Sequence, residues 1–157
     1  MTPAVKAVLA AKVKYTLHEY KHDPNVTAYG PEAADALGIS PDRIFKTLVV
    51  SLSGSKDPLA VAVLPVSAQL DLKSFAIAAN AKKAAMADAR DAERVSGYVL
   101  GGISPLGQRK RLPTIIDLSA LEHRTIYVSA GKRGLQIELA PIDLSRLCSA
   151  ATAAICR

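Results

Sequence analysis

The chain has 157 residues, half of them hydrophobic and 22% charged, which is enough to bury one core without disulfide or metal staples. Aromatic residues make up 4% and tryptophan is absent, which argues against a binder that reads bases on exposed aromatic platforms. The net charge of +6 is uneven: residues 1–80 hold 8 basic and 7 acidic side chains, residues 81–157 hold 12 and 7. The basic second half suits a polyanionic partner such as RNA.

In chain order, residues 3–13 read as a short amphipathic helix with Pro3 near its start and Val5, Val8 and Leu9 on one side. Its charges at Lys6, Lys12 and Lys14 leave no apolar run for a signal peptide. Tyr15 and Leu17 alternate with Thr16 and His18, the pattern of a half-buried strand. His22-Asp23-Pro24-Asn25 is a turn cluster. A helix opens at Pro31 and closes at Gly38, and Ser40-Pro41 caps a further short turn.

Ile44–Leu52 is the strongest strand, apolar on nearly both faces, with Leu59–Leu64 as its hairpin partner across Gly54. Asp71 caps a helix carrying Leu72, Phe75, Ala76 and Ala79, which ends near Asn80. Asp88–Arg94 is helical. Val99–Leu100, Thr114–Ile116, Ile126–Val128 and Leu135–Leu139 are short strands, and Leu144, Leu147, Cys148 and Ala151 mark a final helix. Helices and strands interleave without a repeat, so the class is mixed α/β. Many short strands about a glycine-rich centre predict a small mixed barrel or strongly curved sheet flanked by helices, as one domain over 1–157. The longest charge-free runs, Val95–Gln108 and Pro58–Leu70, are shorter than the about 18 residues a membrane helix needs and contain Gly or Pro.

Lys46 is the first residue with chemical potential. Period-two counting puts it on the face of Ile44, Leu48, Val50 and Leu52, and an ammonium is rarely buried without a partner. It therefore either lines a polar cavity or snorkels at the strand's start. Gly101-Gly102-Ile103-Ser104-Pro105-Leu106-Gly107 is a glycine-proline loop whose N–H groups either approach a ligand or only make a tight turn. Leu106 stands where a nucleophile elbow needs its second glycine. Arg109-Lys110-Arg111 follows at once, either as a solvated loop or as a grip on a nucleic-acid backbone. Ser129–Gly134 is a second glycine-basic loop, containing Lys132 and Arg133, and reads as a hairpin turn. His18, His22 and His123 have no metal-ligand spacing. Cys148 and Cys156 are too few for a disulfide framework or a zinc site and have no evident base. An enzyme with these residues works by positioning and electrostatics.

Several stretches together carry a resemblance: MTPAVK, Tyr20 before the HDP turn, Arg43-Ile44-Phe45-Lys46-Thr47-Leu48, Gln69–Lys73, Gly97-Tyr98 through GGISPLGQRKRLPTIID, and IYVSAGKRGLQIEL. The chain resembles the YbaK-type bacterial Cys-tRNA(Pro) deacylases, free-standing relatives of the editing insertion domain of prolyl-tRNA synthetase. The resemblance implies a small mixed barrel with flanking helices, a cytoplasmic location, no cofactor, no metal, and neither membrane nor DNA as partner. It implies removal of cysteine from mischarged tRNA(Pro), with Cys-tRNA(Cys) as a further substrate and prolyl-tRNA synthetase as a partner. The implied route is attack by the substrate's own thiol, giving a thiolactone.

Carried over position by position, Lys46, Tyr20 and Thr47 are the implied catalytic residues. Tyr29, Gly101, Gly102, Ile103, Ser104, Pro105, Gly107, Ser129 and Gln136 are the implied substrate contacts. Arg109, Lys110 and Arg111, with Lys132 and Arg133, are the expected contacts to the tRNA backbone, from their adjacency to the glycine loops and the basic charge of the second half. Family members commonly have Asp where this chain has Gln136, and an amide cannot act as a carboxylate base. Two other readings stay open: deacylation of another small aminoacyl-tRNA such as Ala-tRNA(Pro), and a non-catalytic module binding tRNA or the synthetase.

Overall fold

The structure is a computed structural model that describes residues 1–157. Helix α1 (Pro3–Ala11) starts where the Thr2 hydroxyl accepts from the Val5 N–H, and it buries Ala4, Val5 and Val8. There follow β1 (Tyr15–Glu19), α2 (Tyr29–Leu37), β2 (Phe45–Ser53), β3 (Leu59–Pro65), α3 (Leu72–Ala78), β4 (Lys83–Met86) and α4 (Ala89–Ser96). The remainder is β5 (Thr114–Asp117), a 3-10 turn over Leu118–Glu122, β6 (Ile126–Ser129), β7 (Leu135–Leu139), α5 (Pro141–Cys148) and β8 (Ala151–Ala153). Asp71 caps α3 and Asp88 caps α4 by accepting from first-turn N–H groups, as short aspartates before apolar runs do.

Strand pairing gives two sheets. The larger is mixed, in the order β4-β2-β3-β5-β8; the smaller is antiparallel, in the order β1-β7-β6. A parallel bridge from Ile44 to Tyr127 joins them at the start of β2. The strands thus form two sheets and do not close into the expected barrel.

The five-stranded sheet is buried on both faces. Phe45, Val49, Val61, Val63 and Ile116 face one core with α1 and the smaller sheet. Val50, Leu52, Ala60, Ala62, Leu64 and Ile115 face a second core with Phe75 and Ile155. Two covered faces explain why β2 and β3 read as almost unbroken apolar runs.

Three elements differ from the sequence expectation. Val99 and Leu100 form no strand, so the glycine loop follows α4. Lys83–Met86 forms an edge strand on β2, which supplies its register. The last helix stops at Cys148 because Ser149 turns left-handed with φ 50°, and Ala151 joins β8 on the edge of β5.

Candidate active site

The seam between the two sheets opens into a cavity of about 320 Å³. Its floor is the start of β2, from Ile44 to Leu48. Tyr29 and Gly30 come from α2, Leu100, Gly101 and Ile103 from the glycine loop, Ser129 from the end of β6 and Gln136 from β7, with Val66 completing the wall. Seven of the expected site residues therefore meet: Tyr29, Lys46, Thr47, Gly101, Ile103, Ser129 and Gln136.

Lys46 is half-buried, and its ammonium donates to the Ala68 carbonyl at 2.8 Å. Burial pulls its pKa below the ordinary lysine value, against a weaker opposing pull from Cys156. Thr47 and Gln136 carry the polar signature of the cavity. The Thr47 hydroxyl oxygen and the Gln136 amide oxygen are both buried without a hydrogen-bond partner, and both residues line the same space. Gln136 is only 7% exposed. An unmet buried polar oxygen costs about 1–3 kcal/mol, so two on one wall point to a ligand or water with matching donors.

The mouth is built on Gly101. With φ +85° it takes a conformation costly for other residues, and an added Cβ would sit 2.8 Å from both the Arg133 Nε and the Tyr29 ring. That close approach lets the Arg133 guanidinium stack 4.6 Å from the Tyr29 ring centre while its Nε–H donates to the Leu100 carbonyl at 2.9 Å. Ser129 ties the two glycine loops together: its hydroxyl donates to the Gly102 carbonyl (2.9 Å) and accepts from the Gly131 N–H (3.1 Å). With both roles taken, Ser129 is a wall strut and not a free nucleophile.

Other expected site residues lie elsewhere. Tyr20 packs behind the cavity against the cluster of Ala33, Ala34, Ile44 and Tyr127. Burial raises its phenol pKa, opposed by the Gly134 backbone and the Gln136 amide, so it reaches the site through Gln136. The glycine loop turns away after Ile103. Gly102 is buried against the Lys132 backbone, and the Ser104 hydroxyl accepts from the Leu106 N–H. Pro105 and Gly107 line a separate cleft near α1 and Cys148. Arg109 and Lys110 are exposed beyond α4, and the Arg111 guanidinium donates to the Ser149 hydroxyl, so none of these three lines the cavity. Lys132 and Arg133 are exposed, and Arg133 stands at the mouth.

Sequence reasoning passed over Gly30, Ile44, Phe45, Leu48, Val66 and Leu100 as site residues. Most are apolar positions indistinguishable by pattern from core. Leu100, an exposed leucine beside a glycine pair, was the one local signal. Glu138, on the same strand face as Gln136, is committed to His18 (2.9 Å) and Thr125 (2.6 Å), outside the cavity. Cys148 and Cys156 also lie outside it, and burial pushes both thiols up to about 12. No group of three or more His, Cys, Asp or Glu side chains is arranged to hold a metal, and no helix is long and apolar enough to cross a membrane.

The family model for the aminoacyl-tRNA editing domain matches residues 23–147. A curated Enterococcus faecalis relative, named "Putative Cys-tRNA(Pro)/Cys-tRNA(Cys) deacylase EbsC", is 43% identical over 140 residues, covering 89% of this chain and 84% of the relative. Among solved structures, one described as a "putative trans-editing enzyme for prolyl tRNA synthetase" superposes with a TM-score of 0.80 at 21% identity, covering 100% of this chain and 99% of the other. The hypothetical protein APE2540 superposes with a TM-score of 0.86 at 22% identity, covering 99% and 100%. At these identities the two structures establish the shared fold.

Proposed function

The chain belongs to the aminoacyl-tRNA editing domain family, and we propose that it removes cysteine from mischarged Cys-tRNA(Pro), with Cys-tRNA(Cys) as a second substrate. The observation that carries this reading is one small cavity lined by Lys46, Thr47, Gly101, Ser129 and Gln136, with the Thr47 and Gln136 oxygens buried and unpaired in its wall. About 320 Å³ accommodates an aminoacyl ester and its sugar, with the rest of the tRNA outside. Apolar walls suit a short side chain, and the polar spots suit the donors of an aminoacyl group and ribose.

The mechanism follows from what the cavity offers. Its serine hydroxyl is already bonded on both sides, and its other hydroxyls, on Thr47 and Tyr29, have no carboxylate or histidine among the lining residues to activate them. The nucleophile implied by the family resemblance is the substrate's thiol, which ionises near pH 8.5 when free and attacks better than water as thiolate, and a cavity without an activated side-chain nucleophile agrees with it. Its sulfur bonds to the ester carbonyl carbon, the bond to the ribose oxygen breaks, and that oxygen takes the proton the thiol released. The products are a cyclic thiolactone and free tRNA. Lys46 holds the 3′-terminal nucleotide and ester, Gln136 accepts from a substrate donor, and the Gly101 N–H steadies the carbonyl oxygen.

Arg133 at the mouth and its exposed neighbour Lys132, with Arg109, Lys110 and Arg111 farther out, meet the tRNA backbone. Residues 1–157 act as one editing unit in the cytoplasm. The choice of tRNA falls to prolyl-tRNA synthetase, as the family resemblance implies. The reaction as written needs no cofactor. Single-turnover deacylation of Cys-tRNA(Pro) with capture of the thiolactone tests this reading. Release of free cysteine as the first product, from a water attack, contradicts it.

A further inference from the structure

Residues 155–157 lie beyond the 23–147 region shared with the editing family, yet they grip the segment that holds Lys46. Leu70 bridges Cys156 in antiparallel fashion. The Asp71 N–H donates to the Ile155 carbonyl at 2.8 Å, and the Arg157 N–H donates to the Gln69 carbonyl at 3.0 Å. The Arg157 guanidinium also donates to the Gln69 amide oxygen at 2.5 Å. Ala68, next to Gln69, presents the carbonyl that receives the Lys46 ammonium.

The other end of the clasp is fixed in the protein interior. Ile155 is 0% exposed and packs with Leu64, Phe75 and Ile115. Its N–H donates at 3.0 Å to Asp117, a buried carboxylate whose second oxygen is held by Ser119. A continuous series of contacts therefore runs from Asp117 through Ile155 and Arg157 to Gln69, Ala68 and the Lys46 ammonium. Side chains as long as lysine lose considerable freedom when held, and a reactive geometry that drifts by about 1 Å loses rate steeply.

We propose that Gln69 and Arg157 are positioning residues for Lys46: the segment after β8 clamps the Ala68 carbonyl so that the ammonium is aimed along the cavity floor. This rests on the deacylase reading of Lys46 given above. Neither residue lines the cavity, so their effect reaches the substrate only through Lys46.

The test uses Arg157→Pro, which removes the backbone donor and the guanidinium together while leaving Ile155 and Cys156 in place. The residue before a proline favours extended backbone, which a bridged Cys156 already requires. Single-turnover deacylation of Cys-tRNA(Pro) is measured for wild type, Arg157→Pro, Lys46→Ala and the double variant, with thermal unfolding alongside. Arg157→Pro should lose roughly tenfold in rate in the wild-type background and nothing further in the Lys46→Ala background, the coupling expected of residues acting through one contact path. Arg157→Lys, which keeps the N–H, should recover most of the rate. Equal losses in both backgrounds, or no loss in the wild-type background, would overturn the proposal. Should Arg157→Pro fail to fold, Gln69→Ala, which removes only the side-chain bond, is measured in the same cycle and must show a smaller loss that Lys46→Ala abolishes. A Lys46→Ala variant as fast as wild type would instead overturn the deacylase role of Lys46 itself.

Discussion

The Lys46 ammonium rests 2.8 Å from the Ala68 carbonyl, at the edge of a cavity where that lysine is the one cationic wall residue. A carbonyl satisfies part of an ammonium's hydrogen-bonding capacity and leaves its charge uncompensated. The group is thus held charged and aimed, ready for an anionic or ester oxygen. Replacing Lys46 by Ala should keep the fold, because removing a half-buried ammonium relieves desolvation. It should slow deacylation on the order of 10²-fold or more, the usual loss for an electrostatic contact at a reacting centre. Single-turnover rates and thermal unfolding of the purified variant check both halves. Because burial lowers the Lys46 pKa, any high-pH loss of rate from its neutralisation should set in below the ordinary lysine value of 10.5, and that limb should vanish in Lys46→Ala.

Gln136 lines the cavity, and its buried amide oxygen has no hydrogen-bond partner in the protein. If it orients the substrate by accepting a hydrogen bond, a carboxylate offers little more, and burial at 7% exposure works against charging one. Gln136→Asp should therefore change the single-turnover rate by less than about 100-fold, or about 2.7 kcal/mol of barrier. A larger gain would mean that the residue at this position must be a base or a counter-charge, and that this protein is a binding module with residual activity.

How much of this was legible in the sequence differs by residue. Lys46 stood out because a cation interrupts an otherwise apolar strand, and Leu48, Val50 and Leu52 do share one face of β2, whereas Thr47 entered through the family resemblance. Gly101 was signalled by its glycine-proline loop, whereas Gln136 and Ser129 had no such signal as site residues and entered through the family resemblance; the seam between two sheets is what brings all three to Lys46. Counting glycines showed a flexible loop at 101–107 but not its direction, so Gly102, Ser104, Pro105 and Gly107 were expected at a wall they turn away from. Strand β4 was invisible because Lys83–Met86 takes its conformation from β2 and not from its own pattern. Barrel closure depends on pairing between distant edges, which short strands alone do not encode.

The two cationic groups should separate in salt titrations. Neutralising Arg133, at the mouth, together with its neighbour Lys132 should reduce the salt slope of tRNA binding by roughly 0.7–0.9 per lost phosphate contact. Neutralising Arg109, Lys110 and Arg111 should also flatten it, with less effect on the chemical step, because none of the three lines the cavity. Binding isotherms across a salt series check this. An unchanged slope for the second set would identify it as a solvated loop.

Neither cysteine lines the cavity, and both thiols are pushed up to about 12 by burial, so they are protonated at neutral pH. Changing Cys148 and Cys156 together to Ser should leave deacylation within about threefold of wild type, a difference of about 0.65 kcal/mol. Complete loss in a folded double variant would point to a protein cysteine as the nucleophile.

The central claim is that the substrate's own sulfur opens the ester. It is tested most directly by single-turnover deacylation of Cys-tRNA(Pro) and Ala-tRNA(Pro) in parallel, under identical conditions. The cysteinyl ester should be cleared at least about 100-fold faster, with a rate that rises with pH as the thiol ionises toward 8.5. Equal clearance of the two esters would contradict the account and assign the reaction to an activated water.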